Sequence, residues 1–335
     1  MKSLFLLVAN PTQMINAIEA RQFYSDSYSH FHLVVFSDSL AYQKQILSMA
    51  DASWSKLIYP TLGTGKWNAL MSIFSKKKFI SGVLKMAIDG DALMIGNIHH
   101  YGCCSLAHRW NEMGNIFAMD DGLGTVNWDL QLNDSTSWTP RSAKGWRGVL
   151  ERWILGVPVI KLSSLNFFSV YPLSHFTNAT ENKFDFLSES FFDKKYNENT
   201  VYFLEQPLVE LGILPQSEYA SAIQKIKYHY TNLGWEFTMV RHRAAHFQQS
   251  SDGIDYVSFD GPIEWVMKDW DKAPRKIATF YSSGVYHLNK MSQGNMIAEF
   301  WQIQNDKGNI VVQPQLMNWL STNALSNMSV LNVTI

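Results

Sequence analysis

A pair of adjacent aspartates follows a short apolar stretch of the chain. Asp120 and Asp121 come directly after Ile-Phe-Ala-Met and before Gly122, whose loop allows the backbone to approach a ligand closely. Two carboxylates could bind a divalent metal, or one of them could act as a general base with a raised pKa. Because neighbouring side chains of an extended chain point in different directions, we predict one catalytic carboxylate with a structural neighbour. The alternative, an aspartate that caps a turn, stays open.

A second cluster centres on a histidine that also follows an apolar stretch. His242 is flanked by Arg241 and Arg243, and three residues that can all be cationic suit a phosphate. The histidine could also donate a proton as a general acid, although a surface or structural histidine is the commoner case. His246 lies four residues later, but no acidic residue lies between the two as in a metal-binding HExxH helix. We therefore predict no metal site.

Two serines follow one further apolar stretch of the chain, and a glutamate lies shortly after another. Ser282, Ser283 and Gly284 could cradle a phosphate with hydroxyl and backbone N–H groups. Glu264 follows Gly-Pro-Ile near the predicted start of a helix, where a carboxylate can accept hydrogen bonds from two ribose hydroxyls. Each signal is weak alone, and Glu264 could instead serve only to stabilise the helix N-terminus.

The bulk composition indicates a globular protein of two domains. The 335 residues exceed the size at which one core keeps growing, and 46% of them are hydrophobic. A formal net charge of -1 gives no broad basic field, so we do not expect DNA or RNA as partners. The basic run 76–78 could contact anionic lipid or an acidic glycan, but a solvated helix face is the favoured interpretation.

The cysteines and the N-terminus indicate the compartment. Cys103 and Cys104 are adjacent, so they cannot link distant parts of the chain, and they lack the spacing of a zinc site. Residues 4–9 form a short apolar run after Lys2, but no small-residue cleavage site precedes the helix that follows. No apolar run approaches the roughly 20 residues of a membrane span. We expect a cytoplasmic protein.

The order of apolar and helical stretches predicts an α/β fold. Apolar runs that end in polar loops alternate with helical patterns, which implies mostly parallel sheets covered on both faces. From residue 123 to about 195 the periodicity weakens, and we interpret this part as an elaborated connection between two lobes. The predicted strands are residues 4–8, 31–36, 55–59, 92–95 and 115–119 in the first lobe and 201–204, 237–240, 256–259 and 276–281 in the second. Every polar cluster described above lies at a strand end, where open α/β sheets bind ligands.

Taken in order, these motifs resemble those of the bacterial sialyltransferases of the GT-B type, in particular the lipooligosaccharide sialyltransferases and polysialyltransferases. The family has an acidic-acidic-Gly motif, a His-Pro motif and a Ser-Ser or Ser-Thr motif. Here they read Asp120-Asp121-Gly122, His242-Arg243 and Ser282-Ser283, so that an arginine stands where the family has proline. Residues 6–20, 203–208 and 262–264 are also similar to family segments.

The resemblance implies a GT-B fold, in which two Rossmann-like domains face each other across a cleft. We place an acceptor-side domain in residues 1–195 and a CMP-sugar-binding domain in residues 196–335. By resemblance, Asp120 would be the base that deprotonates the acceptor hydroxyl. His242 would be the acid or the electrostatic partner of the departing CMP phosphate. The remaining implied donor-site residues are Ser282, Ser283, Glu264, Arg241 and Gly122, and the implied acceptor-site residues are Asn10, Thr12 and Gln13.

The expected activity is inverting, metal-independent transfer of sialic acid or a related nonulosonic acid. The donor would be CMP-sialic acid or a CMP-nonulosonate, bound as substrate with no cofactor. The acceptor would be a glycan, for example one ending in galactose, of a lipooligosaccharide, lipopolysaccharide or capsule. Such assembly implies peripheral contact with the cytoplasmic face of the inner membrane. Two alternatives are a GT-B transferase for a different nucleotide sugar and a non-catalytic protein that binds nucleotide sugars.

Overall fold

The computed structural model shows two compact units, Met1–Asn182 and Lys183–Ile335. The sequence-based division falls after residue 195, inside the second unit. The structure describes residues 2–37, 39–60, 68–98, 100–110, 113–131, 146–157, 165–176, 178–242 and 253–335.

The first unit contains a seven-stranded sheet in which every neighbouring pair is parallel. Its strands are β1 (Ser3–Val8), β2 (His30–Val35), β3 (Lys56–Ile58), β4 (Ala92–Ile95), β5 (Ile116–Met119), β6 (Asn166–Ser169) and β7 (Ala179–Glu181). The spatial order is β3-β2-β1-β4-β5-β6-β7. All residues of β1 and β4 are buried, which explains why these strands are continuous apolar runs without alternation.

Helices connect these strands and cover the sheet. They are α1 (Pro11–Phe23), α2 (Leu40–Met49), α3 (Asn68–Leu84), α4 (Tyr101–Trp110), α5 (Gly124–Gln131) and α6 (Trp146–Leu155). Ile80 of α3, Cys104 of α4 and Leu155 of α6 share one hydrophobic core with Leu7 of β1. Helices α3, α4 and α6 therefore pack on the same face of the sheet.

The interpretation of residues 123–195 as a connection between lobes was wrong. This stretch supplies α5, α6 and two further strands of the first sheet, with β6 pairing with β5 and β7 with β6. Strands of three or four residues are too short to show the period of two by which a half-buried strand is recognised.

The second unit contains a six-stranded parallel sheet. Its strands are β8 (Lys195–Leu204), β9 (Glu236–Val240), β10 (Asp255–Val257), β11 (Lys272–Thr279), β12 (Ile297–Gln304) and β13 (Met328–Thr334), in the order β10-β9-β8-β11-β12-β13. The helices are α7 (Asp185–Ser188), α8 (Gln216–Asn232), α9 (Ile263–Met267), α10 (Ser283–Met291) and α11 (Pro314–Thr322). In both units the strand order reverses beside the first strand, as in Rossmann folds, and ligands bind such sheets at this reversal.

Among the described residues, no helix combines the length and apolar character that a membrane crossing requires.

Candidate functional site

Asp120 is completely buried at the end of β5. Its relative exposure is 0%, and both carboxylate oxygens accept hydrogen bonds from the end of β6. Oδ1 accepts from the hydroxyl of Ser169 at 2.7 Å, and Oδ2 accepts from the backbone N–H of Val170 at 2.6 Å. Asp120 thus joins the carboxyl ends of two neighbouring strands.

Asp121 is partly exposed and accepts hydrogen bonds from three side-chain amides. Oδ1 accepts from Nδ2 of Asn10 and from Nε2 of Gln13, both at 2.7 Å. Oδ2 accepts from Nδ2 of Asn97 at 3.1 Å. These amides follow β1 and β4, so the polar ends of three adjacent strands meet at one carboxylate. A carboxylate has about four lone-pair sites, which leaves one for a further donor.

The surroundings of Asp121 act on its basicity in opposite directions. Burial raises the pKa of this carboxyl because the charged form is desolvated, while the amides of Gln13 and Asn10 lower the pKa. Burial is the larger effect, so the pKa lies above its usual value. Asp121 is therefore a stronger base than an exposed aspartate.

The local sequence explains how two of the amides are positioned. Asn10 is the N-cap of α1, where its Oδ1 accepts from the N–H of Gln13, and Pro11 begins the helix. The side chain of Gln13 is fixed at its other end, where Oε1 accepts from the N–H of Ala9 at 2.7 Å. A Cβ at Gly96 would lie 2.6 Å from Cδ of Gln13, so this close approach requires glycine.

The loop after Asp121 contains a glycine in the left-handed backbone conformation. Gly122 has φ of 62°, in the left-handed region. The N–H of Asp121 donates to Oγ1 of Thr125 at 2.9 Å, which fixes the turn into α5. Thr12 is partly exposed in the first turn of α1, and its carbonyl accepts from Nδ2 of Asn16.

In the second unit, His242 lies at the end of β9 beside the end of β8. Its backbone N–H donates to Oε2 of Glu205 at 3.1 Å. The guanidinium of Arg241 lies 4.5 Å from the ring centroid of Tyr256. Burial raises the pKa of Glu205, although the His242 N–H and the charge of Arg241 counteract this effect. The sequence interpretation gave Glu205 no role, yet its place directly after an apolar strand was a usable signal.

Ser282 and Ser283 begin α10 in the loop after β11. Ser282 is the N-cap, with Oγ accepting from the N–H of Gly284 at 3.3 Å, and both serines are partly exposed. The hydroxyls and the N–H groups at this helix start form a site of the kind that binds phosphate.

Glu264 lies next to this helix start and contacts a buried histidine. Its Oε1 is 2.9 Å from Nδ1 of His287, and both side chains are buried. A Cβ at Gly284 would lie 3.5 Å from Cδ of Glu264, so α9 and α10 pack closely here. His287 was missed, although it follows Ser283 by four residues, about one helical turn.

The structure thus brings together several of the predicted residues within each unit. Asn10 and Gln13 meet Asp121 in the first unit. In the second unit, Arg241 and His242 follow β9, and Ser282, Ser283 and Glu264 surround the start of α10. The catalytic and binding roles of all of these residues, and of Asp120, Gly122 and Thr12, stay predictions. Arg243 and His246 lie outside the described residues.

Comparisons with known proteins give a fold relationship. No protein-family model and no curated protein sequence matches the chain. A UDP-GlcNAc 2-epimerase of Methanocaldococcus jannaschii, solved with UDP-GlcNAc and UDP, is 10% identical with a TM-score of 0.51, and the match covers 100% of this chain and 89% of the epimerase. ADP-heptose heptosyltransferase II of E. coli matches at 11% identity with a TM-score of 0.42, over 99% of this chain and 90% of that protein. MurG of Acinetobacter baumannii matches at 7% identity with a TM-score of 0.42, over 100% of this chain and 86% of MurG. The two Rossmann-like sheets and the epimerase match confirm the predicted α/β fold of the GT-B class.

Proposed function

We propose that the chain is an inverting, metal-independent glycosyltransferase that moves sialic acid or a related nonulosonic acid from a CMP donor to a glycan hydroxyl. The observation that carries this proposal is the carboxylate of Asp121, a partly exposed residue, which three amides hold at the carboxyl end of a parallel sheet. A nucleotide-sugar donor is also supported by the fold relative, which was solved with UDP-GlcNAc and UDP. The choice of CMP and a nonulosonic acid rests on the motif resemblance alone.

The proposal gives the role of base to Asp121 in place of Asp120. The carboxylate of Asp120 has no exposed surface and already accepts from Ser169 and Val170. A base must reach the proton that it removes. Oδ2 of Asp121 accepts only from Asn97 among the described residues, so it has a lone pair for the acceptor hydroxyl. Asp120 then has a structural role in joining β5 to β6.

The proposed reaction is a single displacement at the anomeric carbon. Asp121 takes the proton of the acceptor hydroxyl, the hydroxyl oxygen bonds to the anomeric carbon, and the bond from that carbon to the phosphate oxygen breaks. Attack opposite the leaving group inverts the configuration. CMP leaves with the electron pair of the broken bond, and groups of the second unit stabilise its charge.

The second unit supplies the donor groups of this proposal. The hydroxyls of Ser282 and Ser283 and the N–H groups that begin α10 would bind the single phosphate, with His242 as proton donor or cation. Because CMP carries one phosphate, these protein groups can neutralise its charge without a metal. Glu264 would bind the ribose through Oε2, since Oε1 is occupied by His287.

The proposed location is the cytoplasm. Both adjacent cysteines are thiols rather than a disulfide, and both are completely buried. Burial raises the pKa of the Cys104 thiol, so the reactive thiolate is disfavoured. The thiol of Cys104 donates to the carbonyl of Ile98 at 2.8 Å, which is a packing role. Buried reduced thiols fit a reducing compartment.

The test is CMP release from CMP-sialic acid with a galactose-terminated acceptor, with and without EDTA. We expect turnover that EDTA does not change and that falls roughly 10²–10⁴-fold in Asp121→Asn. The matched variant Asp120→Asn keeps the same shape, and we expect it to lower the melting temperature while the folded enzyme keeps more activity than Asp121→Asn. His242→Ala should also reduce turnover.

Different results would contradict separate parts of the proposal. Full activity in Asp121→Asn would overturn the base assignment. Loss of activity on addition of EDTA would contradict the metal-independent mechanism. Turnover of a UDP-sugar and none of CMP-sialic acid would show that the donor is not a CMP-sugar. CMP binding without any turnover would indicate a non-catalytic protein.

A further inference from the structure

Helix α3 presents a basic and aromatic face to solvent. Phe74 is 54% exposed, and Lys78 and Lys85 follow it by four and eleven residues, on the same side of the helix. The N–H of Lys85 donates to the carbonyl of Ser81 at 3.2 Å, so the helical turn continues to Lys85. Lys77 is exposed beside them. The opposite side of the helix carries the buried residues Ile73, Ile80 and Val83.

Helix α6 presents an apolar face of its own. Val149 is 66% exposed and Trp153 is 79% exposed, and their spacing of four residues puts them on one side of the helix. Leu155 lies on the other side, in the core that covers the sheet. An exposed tryptophan of this extent costs solvation free energy in water, which a partner surface would recover.

The two helices are fixed to each other. Nζ of Lys76 lies 2.8 Å from Oε1 of Glu151, and both helices pack in the same core on the same face of the first sheet. Their solvent-facing sides therefore lie on the same side of the first unit. Glu151 is the one acidic residue in the sequences of α3 and α6, and Lys76 neutralises it. We call Phe74, Lys77, Lys78, Lys85, Val149 and Trp153 the α3–α6 face.

We propose that the α3–α6 face binds the surface of a bilayer that contains anionic phospholipid. Tryptophan and phenylalanine rings lie favourably at the boundary between headgroups and acyl chains. The lysines beside them carry positive charge that complements anionic headgroups, and the one acidic residue on the two helices, Glu151, is already paired with Lys76. The face combines the apolar and the electrostatic contributions that together give stable peripheral binding.

Vesicle sedimentation with the full chain tests this proposal. One vesicle set contains phosphatidylcholine only, and the other contains phosphatidylcholine and phosphatidylglycerol in equal parts. We expect binding to the anionic vesicles that weakens as salt is added. Lys77→Glu with Lys78→Glu should lower the partition coefficient by roughly fivefold for each positive charge removed. Trp153→Ser should lower it at all salt concentrations, since its contribution is apolar.

Matched variants on the second unit separate this face from general charge and hydrophobicity. Lys195→Glu with Lys307→Glu makes the same change in net charge at two exposed lysines, and Tyr228→Ser removes an aromatic side chain that is 67% exposed. These controls should bind anionic vesicles nearly as wild type does, and circular dichroism should show that every variant is folded.

Three outcomes would overturn the proposal: no binding of wild type to anionic vesicles, an equal loss in the control variants, or binding that the α3–α6 variants leave unchanged. Self-association of the wild-type chain that Trp153→Ser abolishes, without vesicle binding, would assign the face to a protein contact instead. Since vesicle binding requires no donor sugar, failure of this proposal and failure of the proposed transferase activity are distinguishable.

Discussion

Nε2 of Gln13 lies 2.7 Å from Oδ1 of Asp121, although 108 residues separate the two in the sequence. Gln13 is completely buried, and its other amide atom, Oε1, accepts from the N–H of Ala9. The side chain passes so close to Gly96 that no Cβ fits there. The strand end that carries Gly96 therefore controls the position of the amide that holds Asp121.

The variant Gly96→Ala should reduce activity without removing any functional group. The new methyl group would lie 2.6 Å from Cδ of Gln13, so the glutamine must shift and its bond to Asp121 must lengthen. Misplacement of a catalytic group on this scale lowers the turnover rate by roughly 10–10²-fold. The measurement is kcat with saturating donor. Gly82→Ala in α3, where nothing lies within 4 Å of the added Cβ, is the matched control and should keep full activity.

The pH dependence of kcat/KM should change when an amide that donates a hydrogen bond to Asp121 is removed. The base must be ionised, so activity falls as the pH drops through the pKa of Asp121, which burial places above its ordinary value. Asn97→Ala removes a donor that stabilises the ionised form, hence the pKa should rise and the acid limb should move to higher pH. The control variant Asn332→Ala, at an exposed asparagine, should leave the acid limb at the same pH. An unchanged limb in Asn97→Ala would argue against Asp121 as the titrating base.

The sequence predicted which strand ends carry polar groups but could not decide between the two aspartates. Asn10 and Gln13 were predicted at the end of the first strand, and their contact with Asp121 follows from the parallel order of the sheet. That Asp120 is the buried member depends on Ser169 and Val170 at the end of β6. This strand has four residues and no clear periodicity, so the partner that determines the burial of Asp120 was missing from the sequence interpretation.

The contact between Glu264 and His287 should determine affinity for the donor. His287→Phe removes the group that holds Oε1 of Glu264, and a hydrogen bond to a charged group contributes enough that the KM for the donor should rise roughly 10–10²-fold. His287→Asn should restore part of this affinity, because an amide N–H can occupy the place of Nδ1. We expect kcat to change less than KM. His229→Phe, at an exposed histidine of the same unit, is the control.

A buried ionic cluster in the second unit supports the strands that carry the proposed donor-binding residues. Nζ of Lys276 on β11 lies 2.6 Å from Oε1 of Glu299 on β12 and 4.4 Å from the ring centroid of Trp235. The hydroxyl of Tyr230 donates to the other oxygen of Glu299 and accepts from Nε1 of Trp301 at 2.8 Å. Burial raises the pKa of Tyr230, which keeps its hydroxyl protonated as a donor.

Removal of one charge from this cluster should cost more stability than removal of both. Lys276→Met leaves the Glu299 carboxylate buried without its cation, a change that lowers the free energy of unfolding by about 3–5 kcal/mol. In Lys276→Met with Glu299→Gln the uncompensated charge is gone, and the glutamine oxygen can still accept from Tyr230, so part of the loss should be recovered. Urea denaturation of the wild type, both single variants and the double variant measures this coupling. If the two single losses simply add in the double variant, Lys276 and Glu299 do not interact as the structure shows; recovery would establish that the ion pair fixes β11 against β12.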